Sequence, residues 1–352
     1  MDGIDAALVE FESATEFRLL QSGFTPFSSN LKNRIAHTSQ NNRELSRNED
    51  SPLHKELAQY YSEAVLNLLH NADVSREAIK AIANHGQTVK HEPNQNPALS
   101  LQLGDGQSIA EQTGIRTICQ FRQADLAAGG QGAPLMPAFH RAAFGQLDSS
   151  FIVNIGGISN ITLLDEHLSG YDTGPGNCLM DQWIHAKLDK NYDQDGLWAK
   201  TGSINTELLA ELLDDSYFAQ TAPKSTGTDY FNLAWLSAKN INDLADSVVQ
   251  RTLLQLTVES IAKEVLKIRK SGAVYVCGGG ANNSLLMRCL SERLSNFNVS
   301  VTDTLGFPCD QLEAIGFAWL GYCFDHDIKA NVPSVTGAKE ACVLGQLFVP
   351  QN

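Results

Sequence analysis

The sequence lacks the features that mark secreted, membrane-spanning and metal-stapled proteins. No uninterrupted apolar run approaches the roughly 20 residues needed to cross a bilayer, and no basic region followed by an apolar stretch stands at the N-terminus. The seven cysteines are scattered, without a C-x-x-C pair, so neither a disulfide framework nor a structural zinc site is predicted. These absences predict a cytoplasmic protein with small buried thiols and no membrane partner.

Positive charge is also scarce. The chain has 26 Lys and Arg against 40 Asp and Glu, a net charge of −14, and no dense basic tract that could neutralise a nucleic-acid backbone. Nucleic acid is therefore not expected as a partner. With 352 residues, 43% hydrophobic and 19% charged, the composition is typical of a globular protein with two lobes.

Strand and helix patterns alternate along the chain. Apolar alternation predicts a hairpin of strands over residues 5–11 and 17–27, and a second hairpin beginning at Phe151. Helical spacing predicts helices over 55–71, 75–81, 252–269, 283–294 and 313–327, and apolar runs predict strands over 273–277 and 298–303. The alternation favours an α/β fold with an N-terminal lobe (1–148), a C-terminal lobe (149–325) and a tail (326–352) that returns to the first lobe.

Four glycine-rich segments stand out: AAGGQGAP (127–134), NIGGISN (154–160), DTGPGN (172–177) and CGGGAN (277–282). None is a P-loop or a dinucleotide fingerprint. One glycine turn is usually only a tight turn between strands, but four turns, each beside a polar side chain, indicate backbone N–H groups aimed at a ligand. Because such groups can bind ATP even in an acidic protein, the residues favour phosphoryl transfer and leave the acceptor open.

Two aspartates lie beside these turns. Asp172 is predicted at a strand end, where its carboxylate could act as a general base or hold Mg²⁺ through water; an Asx-turn that only organises the loop is the alternative. Asp125 precedes the first glycine segment. It could bind substrate hydroxyls, pair with Arg122 or cap a helix.

Three further side chains are candidates with open alternatives. His85, in Asn-His-Gly-Gln-Thr, could donate to a sugar oxygen or be a structural histidine. Asn282 is predicted at a helix start, where N–H groups could meet a nucleotide. Glu313 opens a predicted helix and could be a metal-side carboxylate or a favourable first-turn charge.

Seven segments from His85 onwards form a distinctive series: NHGQTVKHEP, FRQADLAAGGQGAPLMPAFH, VNIGGISN, GYDTGPGNCLMDQWI, PKSTGTDYFNL, VCGGGANNSLL and EAIGFAWLG. In these segments and in their order, the sequence resembles the anhydro-N-acetylmuramic acid kinase family. The resemblance implies a two-lobed actin/hexokinase-like (ribonuclease H-like) fold with ATP and Mg²⁺ in an interdomain cleft. The implied reaction opens a 1,6-anhydro sugar with water and phosphorylates O6, giving N-acetylmuramic acid 6-phosphate for peptidoglycan recycling.

The resemblance also implies roles for individual residues. Asp172 would be the base that activates water. Glu313 remains, from its place at a helix start, the candidate metal-side carboxylate. The implied sugar-facing residues are His85, Gln87, Arg122, Asp125 and Gly130. The implied nucleotide-binding residues are Asp2, Gly3, Asp5, Gly156, Gly157, Gly174, Gly176, Gly278, Gly279, Gly280 and Asn282. Only small-molecule partners are implied, and a homodimer is left open.

The resemblance departs at the front of the chain. Family members carry M-S-G-T-S-L-D-G after a first strand, whereas only Asp2, Gly3 and Asp5 match here. We therefore expect an N-terminal lobe without its first strand and G-T-S turn, as in an N-terminally truncated sequence. An inactive sugar- or nucleotide-binding protein and a kinase for another small sugar are the alternatives.

Overall fold

The computed structural model describes residues 3–40, 51–147 and 149–351. The strands are β1 (Gly3–Phe11), β2 (Phe17–Pro26), β3 (Ile82–Ala83), β4 (Gln87–Glu92), β5 (Leu99–Leu103), β6 (Thr117–Cys119), β7 (Ser150–Ile155), β8 (Ile158–Leu164), β9 (Ser169–Pro175), β10 (Gly272–Cys277), β11 (Phe297–Val301) and β12 (Gln346–Phe348). The helices are α1 (Ser29–Gln40), α2 (Pro52–Asn71), α3 (Gly106–Thr113), α4 (Gln123–Ala127), α5 (Met136–Phe144), α6 (Cys178–Leu188), α7 (Thr206–Leu213), α8 (Leu233–Ser237), α9 (Asp246–Ile268), α10 (Ser284–Arg293), α11 (Leu312–Asp325) and α12 (Pro333–Thr336).

The chain divides into two compact units. Unit 1 combines Met1–Ala143 with Glu313–Asn352, and unit 2 is the continuous stretch Phe144–Leu312. Helix α11 belongs to unit 1, where the Trp319 indole N–H donates to the Ala14 carbonyl at 2.8 Å. No helix among the described residues is long and apolar enough to cross a membrane.

Unit 2 is built on a five-stranded sheet in the order β11-β10-β7-β8-β9. Strands β7, β8 and β9 form an antiparallel meander, while β10 pairs in parallel with β7 and β11 in parallel with β10. This order, with the meander on one side of the first strand and two parallel strands on the other, is that of the ribonuclease H-like fold. The predicted fold class is confirmed for this unit.

The core of unit 2 surrounds α9. This helix is buried on several faces, including at polar positions such as Gln250, Thr257 and Glu264. Its opposite face is a partly exposed polar stripe at i, i+4 spacing: Arg251, Gln255, Glu259, Lys263 and Lys267. The predicted amphipathic helix over 252–269 is therefore confirmed, but it begins six residues earlier, at Asp246.

The strands of unit 1 form three separate sheets: β1-β2, β12-β6-β3 and β4-β5. The hairpin β1-β2 is confirmed near its predicted bounds. Strands β3 and β6 run parallel, and the tail strand β12 lies antiparallel to β6. Apolar side chains of α2, including Leu53 and Leu57, pack with Ile4 of β1 in one core cluster.

One predicted helix is absent. Residues 75–81 contain only a single 3-10 turn, Arg76–Ala78, and Ile79 is already extended. The segment has too few residues to form a stable helix before the chain enters β3, so the capping signal at its start was misleading.

Candidate active site

Three polar side chains form a row across the sheet of unit 2. Asn154 of β7 faces Asn160 of β8, and Asn160 faces Asp172 of β9. Because opposed residues of antiparallel strands share a face with Cβ atoms about 5 Å apart, the amides and the carboxylate project together. Each is partly exposed, whereas the residues on both sides of it in sequence are buried. The row can therefore contact water or hydroxyl groups at the surface of the sheet.

A β-bulge sets the direction of Asp172. Ser159 pairs with Gly174 and Asn160 pairs with Asp172, so Thr173 is an extra residue in β9. The Thr173 hydroxyl donates to the Ser159 carbonyl at 3.2 Å. Such bulges redirect neighbouring side chains. Asp172 thus lies inside β9 beside the bulge, and the prediction that it lies at the strand end was wrong by three residues.

Three glycine turns meet at the carboxyl ends of β7, β9 and β10, which run in the same direction. The Gly176 N–H donates to the Gly157 carbonyl at 2.9 Å, and the Asn177 N–H donates to the Gly156 carbonyl at 2.8 Å. Gly278 has a φ of +79°, and a Cβ there would lie 2.3 Å from Asn154 Oδ1. Only glycine fits at that position. Because these contacts join the 156–157, 176–177 and 278 turns, the predicted glycine turns of unit 2 form one region.

The segment 217–226 covers the outer edge of β9 and holds Asp172 at three points. The Asp172 N–H donates to the Lys224 carbonyl (3.2 Å), and the Tyr217 hydroxyl donates to the Asp172 carbonyl (2.7 Å). The Thr226 N–H donates to Asp172 Oδ2 at 2.9 Å. Burial and the nearby Asp172 charge raise the pKa of Tyr217, so Tyr217 stays a hydrogen-bond donor.

The structure partly corrects the prediction that Asn282 lies at a helix start. Asn282 is exposed at the end of a 3-10 turn, and its amide donates to both carboxylate oxygens of Asp310 at 2.8 and 3.0 Å. Helix α10 starts at Ser284, with the Asn283 side chain accepting from the Leu286 N–H. Asn283, rather than Asn282, is therefore the helix cap. Gly279 and Gly280 lie in the 3-10 turn itself.

In unit 1, His85 and Arg122 form one cluster. The Arg122 guanidinium donates to His85 Nε2 from Nε (3.2 Å) and Nη2 (2.9 Å), and its Nη1 donates to the Gly132 carbonyl (2.7 Å). The His85 ring stacks on Phe317 at 4.4 Å between centroids. Burial and the Arg122 charge hold the pKa of His85 well below its usual value. Since Nε2 accepts, the neutral ring carries its proton on Nδ1.

Asp125 is fully buried and bonded within unit 1. Its Oδ1 accepts from the Asn331 amide (2.7 Å) and the Thr336 hydroxyl (2.6 Å), and its Oδ2 accepts from the Gly132 N–H (2.7 Å). A Cβ at Gly130 would lie 2.2 Å from Asp125 Oδ2. Asp125 therefore shapes the 129–132 loop and joins it to the tail of the chain.

The other predicted residues of unit 1 lie as follows. Gln87 begins β4 and donates to the Thr88 carbonyl at 3.1 Å. Glu313 is exposed in the first turn of α11. Gly3 and Asp5 lie in β1, paired with Pro26 and Phe24 of β2. Asp2 lies outside the described residues. Among the described residues, no three His, Cys, Asp or Glu side chains come together as a metal site.

Sequence reasoning missed the residues whose role depends on pairing. Asn154 and Asn160 were noted only as part of a glycine segment. Each is a polar residue within an apolar strand, and this pattern could have indicated a functional position. Tyr217 and Thr226 are 45 and 54 residues from Asp172, and no local pattern links them to it.

The sequence profile described as anhydro-N-acetylmuramic acid kinase matches residues 1–350. The chain belongs to this family. It is 43% identical over 354 residues to "Anhydro-N-acetylmuramic acid kinase" of Vibrio vulnificus (strain CMCP6), covering 99% of this chain and 95% of that one. The protein of the same name from Pasteurella multocida (strain Pm70) is 43% identical over 355 residues, covering 99% and 94%.

Among solved structures, the activator of the 2-hydroxyisocaproyl-CoA dehydratase from Clostridium difficile with bound ADPNP is similar at a TM-score of 0.43 and 13% identity, over 88% of this chain and 87% of that one. This likeness is too distant to support a functional argument. Membership of the kinase family confirms the predicted family and class of enzyme, while the roles of single residues stay predictions.

Proposed function

We propose that this chain is an ATP-dependent kinase that opens 1,6-anhydro-N-acetylmuramic acid with water and phosphorylates O6, giving N-acetylmuramic acid 6-phosphate in peptidoglycan recycling. The observation that carries the proposal is the row of Asp172, Asn160 and Asn154 beside three glycine turns in a member of this kinase family. A carboxylate next to amides suits the activation of water.

In the proposed reaction, Asp172 accepts a proton from water as the water oxygen bonds to the anomeric carbon. The bond from that carbon to O6 breaks, and the electron pair stays on O6. O6 then bonds to the γ-phosphorus while the bond from phosphorus to the β,γ-bridging oxygen breaks, releasing ADP. One base therefore serves both events, because bridge opening generates the nucleophile for phosphoryl transfer.

The glycine turns of unit 2 are proposed to bind the nucleotide. Their backbones lie close together and present peptide groups at one edge of the sheet, where ligands of open α/β sheets bind. Mg²⁺ would neutralise charge on the phosphates. Because an ion that arrives with phosphates needs only one or two protein carboxylates, the absence of a three-ligand cluster in the described residues is compatible with it.

The cluster around His85 is proposed to bind the sugar. With Nε2 engaged by Arg122, the Nδ1–H of His85 is the ring's donor for a sugar oxygen. Arg122 is also bonded to Gly132, so the 129–132 loop, which Asp125 shapes, and the histidine share one anchor. Gln87 and Gly130 remain proposed sugar contacts.

The experiment that tests the proposal measures ADP release and the 6-phosphosugar from anhydro-N-acetylmuramic acid. We expect Asp172→Asn to lower kcat by about 10²- to 10⁴-fold with an unchanged melting temperature. Asp165→Asn is the matched control, since Asp165 lies in the same unit and pairs with Arg269 away from the row. Full activity of Asp172→Asn would exclude Asp172 as the base, and preference for glucose in a panel would reassign the substrate.

A second candidate is a protein that binds sugar or nucleotide without turnover. It is favoured by the separate sheets of unit 1, in which no described strand joins β1 to β3 as β7 joins β8 to β10. Calorimetric binding of the anhydro sugar without ADP release would support it. Turnover by the 352-residue chain would exclude it.

A further inference from the structure

A buried ion pair lies behind Asp172. Lys224 Nζ is 3.1 Å from Glu264 Oε1, and the two side chains are 1% and 5% exposed. Glu264 Oε2 accepts from the Tyr171 hydroxyl at 3.2 Å. Tyr171 immediately precedes Asp172 in β9, and Lys224 supplies the carbonyl that accepts the Asp172 N–H. Glu264 is therefore bonded to the side chain that precedes the proposed base, and the backbone of Lys224 is bonded to the base itself.

Helix α9 supports this pair through one polar face. Thr257, Ser260 and Glu264 follow the i, i+3, i+7 spacing that places side chains on the same side of a helix. The Thr257 hydroxyl donates to the Gly176 carbonyl at 2.7 Å, and Ser260 Cβ lies 3.3 Å from where a Cβ of Gly174 would be. The face therefore follows β9 from Tyr171 to the glycine turn.

Stability alone gives no reason for such a pair. Removing two charges from water is unfavourable, and apolar side chains of similar volume often stabilise a core equally well or better. Burial lowers the pKa of Lys224, with the Glu264 charge opposing the shift. A buried pair does, however, constrain geometry, because moving the buried Lys224 ammonium away from Glu264 would leave a buried charge without its partner.

We infer that Lys224 and Glu264 are positioning residues that hold the 224–226 segment so that the Thr226 N–H meets the Asp172 carboxylate. The inference rests on the proposed function, because it assigns the pair a purpose through Asp172. Lys224 fixes the segment at its buried end, and two residues later the Thr226 N–H fixes Asp172 Oδ2. Loss of the Lys224–Glu264 pair would leave the Asp172 backbone in β9, but the Asp172 carboxylate would lose its bond from Thr226 and could rotate.

The test compares Lys224→Met with a matched control, Lys267→Met. Lys267 Nζ binds the same Glu264 oxygen at 2.8 Å, but its side chain is 46% exposed and it lies on α9, outside the 224–226 segment. We expect Lys224→Met to lower kcat by about 10- to 100-fold with little change in KM, because small misplacements of a catalytic group have effects of this size. Lys267→Met should stay within about twofold, as exposed pairs contribute little.

Two further readouts separate positioning from stability. Hydrogen exchange of the peptide containing Thr226 should quicken in Lys224→Met while β9 keeps its protection. The double variant Lys224→Met/Glu264→Gln removes both buried charges and keeps an acceptor for Tyr171; it should regain the wild-type melting temperature without regaining kcat. The double variant also carries the test if Lys224→Met alone does not fold.

Three results would overturn the inference: wild-type kcat and Thr226 protection in folded Lys224→Met, equal slowing in Lys267→Met, or recovery of kcat in the double variant. Failure of the proposed function has a different signature, since the wild-type chain would then not turn over the anhydro sugar. Even then, faster hydrogen exchange of the Thr226 amide in Lys224→Met than in the wild type would show that Lys224 anchors the 224–226 segment.

Discussion

In unit 2 the hairpin β8-β9 is joined to the parallel strands β10-β11 by β7, whereas in unit 1 the hairpin β1-β2 and the parallel strands β3-β6 belong to separate sheets. Apart from the extra hairpin β4-β5 of unit 1, the order of elements is alike: hairpin, helices, strand, helix, strand. The sequences at the starts of β1 and β8 are also similar: Gly-Ile-Asp at 3–5 and Gly-Ile-Ser at 157–159. The joining strand β7 also leads into the 156–157 turn, so one strand provides both the continuity of the sheet and a glycine turn.

The two units also differ in the partners of a fully or nearly fully buried aspartate. Asp125 bonds to Asn331 and Thr336, 206 and 211 residues away in sequence. In unit 2 the buried Asp193 has mostly local partners, the N–H groups of Trp198 and Ala199. The comparison predicts that unit 1 depends more strongly on single buried polar groups.

The largest expected effect comes from Asp125→Ala. The change removes the carboxylate that accepts from Asn331, Thr336 and the Gly132 N–H. Only Asn331 and Thr336 keep a second acceptor, so we expect a loss of roughly 3 to 5 kcal/mol in the free energy of unfolding. Asp193→Ala is the counterpart in unit 2, with a smaller expected loss of about 2 kcal/mol. Urea unfolding measures both. An equal or larger loss in Asp193→Ala would remove the contrast between the units.

Lowering the pH should reduce the free energy of unfolding mainly through unit 1. His140 is 2% exposed, and burial lowers its pKa from 6.5 to about 3; the described histidines of unit 2, His167 and His185, are exposed. The unfolded state therefore binds the proton first, so the stability that neutral His140 allows is present above pH 6.5 and is lost as the pH falls towards 3.

We expect this histidine alone to lower the free energy of unfolding by about 1.4 kcal/mol per pH unit between those values. Unfolding measured from pH 7 to pH 4 in the wild type and in His140→Gln checks it, with His185→Gln as control. The slope should decrease in His140→Gln only. An unchanged slope would show that other groups dominate the acid sensitivity.

The smallest expected effect is on local opening. Two-stranded sheets are marginally stable by themselves, so backbone amides of β1-β2 should exchange with solvent at least about tenfold faster than those of β7-β8. Hydrogen exchange with mass spectrometry resolves both hairpins in one experiment. Equal protection would mean that packing against α2 replaces the missing sheet contacts.

The sequence pattern predicted elements that are set locally. The β7-β8 hairpin followed from an apolar run on both sides of two glycines, and β10 followed from a short apolar run before three glycines. Asp172 was selected as a candidate because it stands beside a distinctive glycine turn. Local signals were enough for these features, since each depends on neighbouring residues.

Features set by tertiary contact were not predictable in the same way. The ion pair of Lys224 with Glu264 joins residues 40 positions apart, and the extra residue at Thr173 exists only relative to β8. The burial of α9 on several faces depends on the elements around it. Asp125 had three open interpretations in the sequence, and only its partners show that it shapes a loop.

The discontinuity of unit 1 has a consequence for how the protein is made. Unit 2 is a single continuous stretch, while unit 1 needs residues from both ends of the chain. Asn331 and Thr336, the partners of Asp125, are synthesised 206 and 211 residues after it. Domains usually fold as they emerge, the N-terminal one first, but here the N-terminal part of unit 1 cannot make its buried contacts with the segment after residue 312 until all of unit 2 has been synthesised.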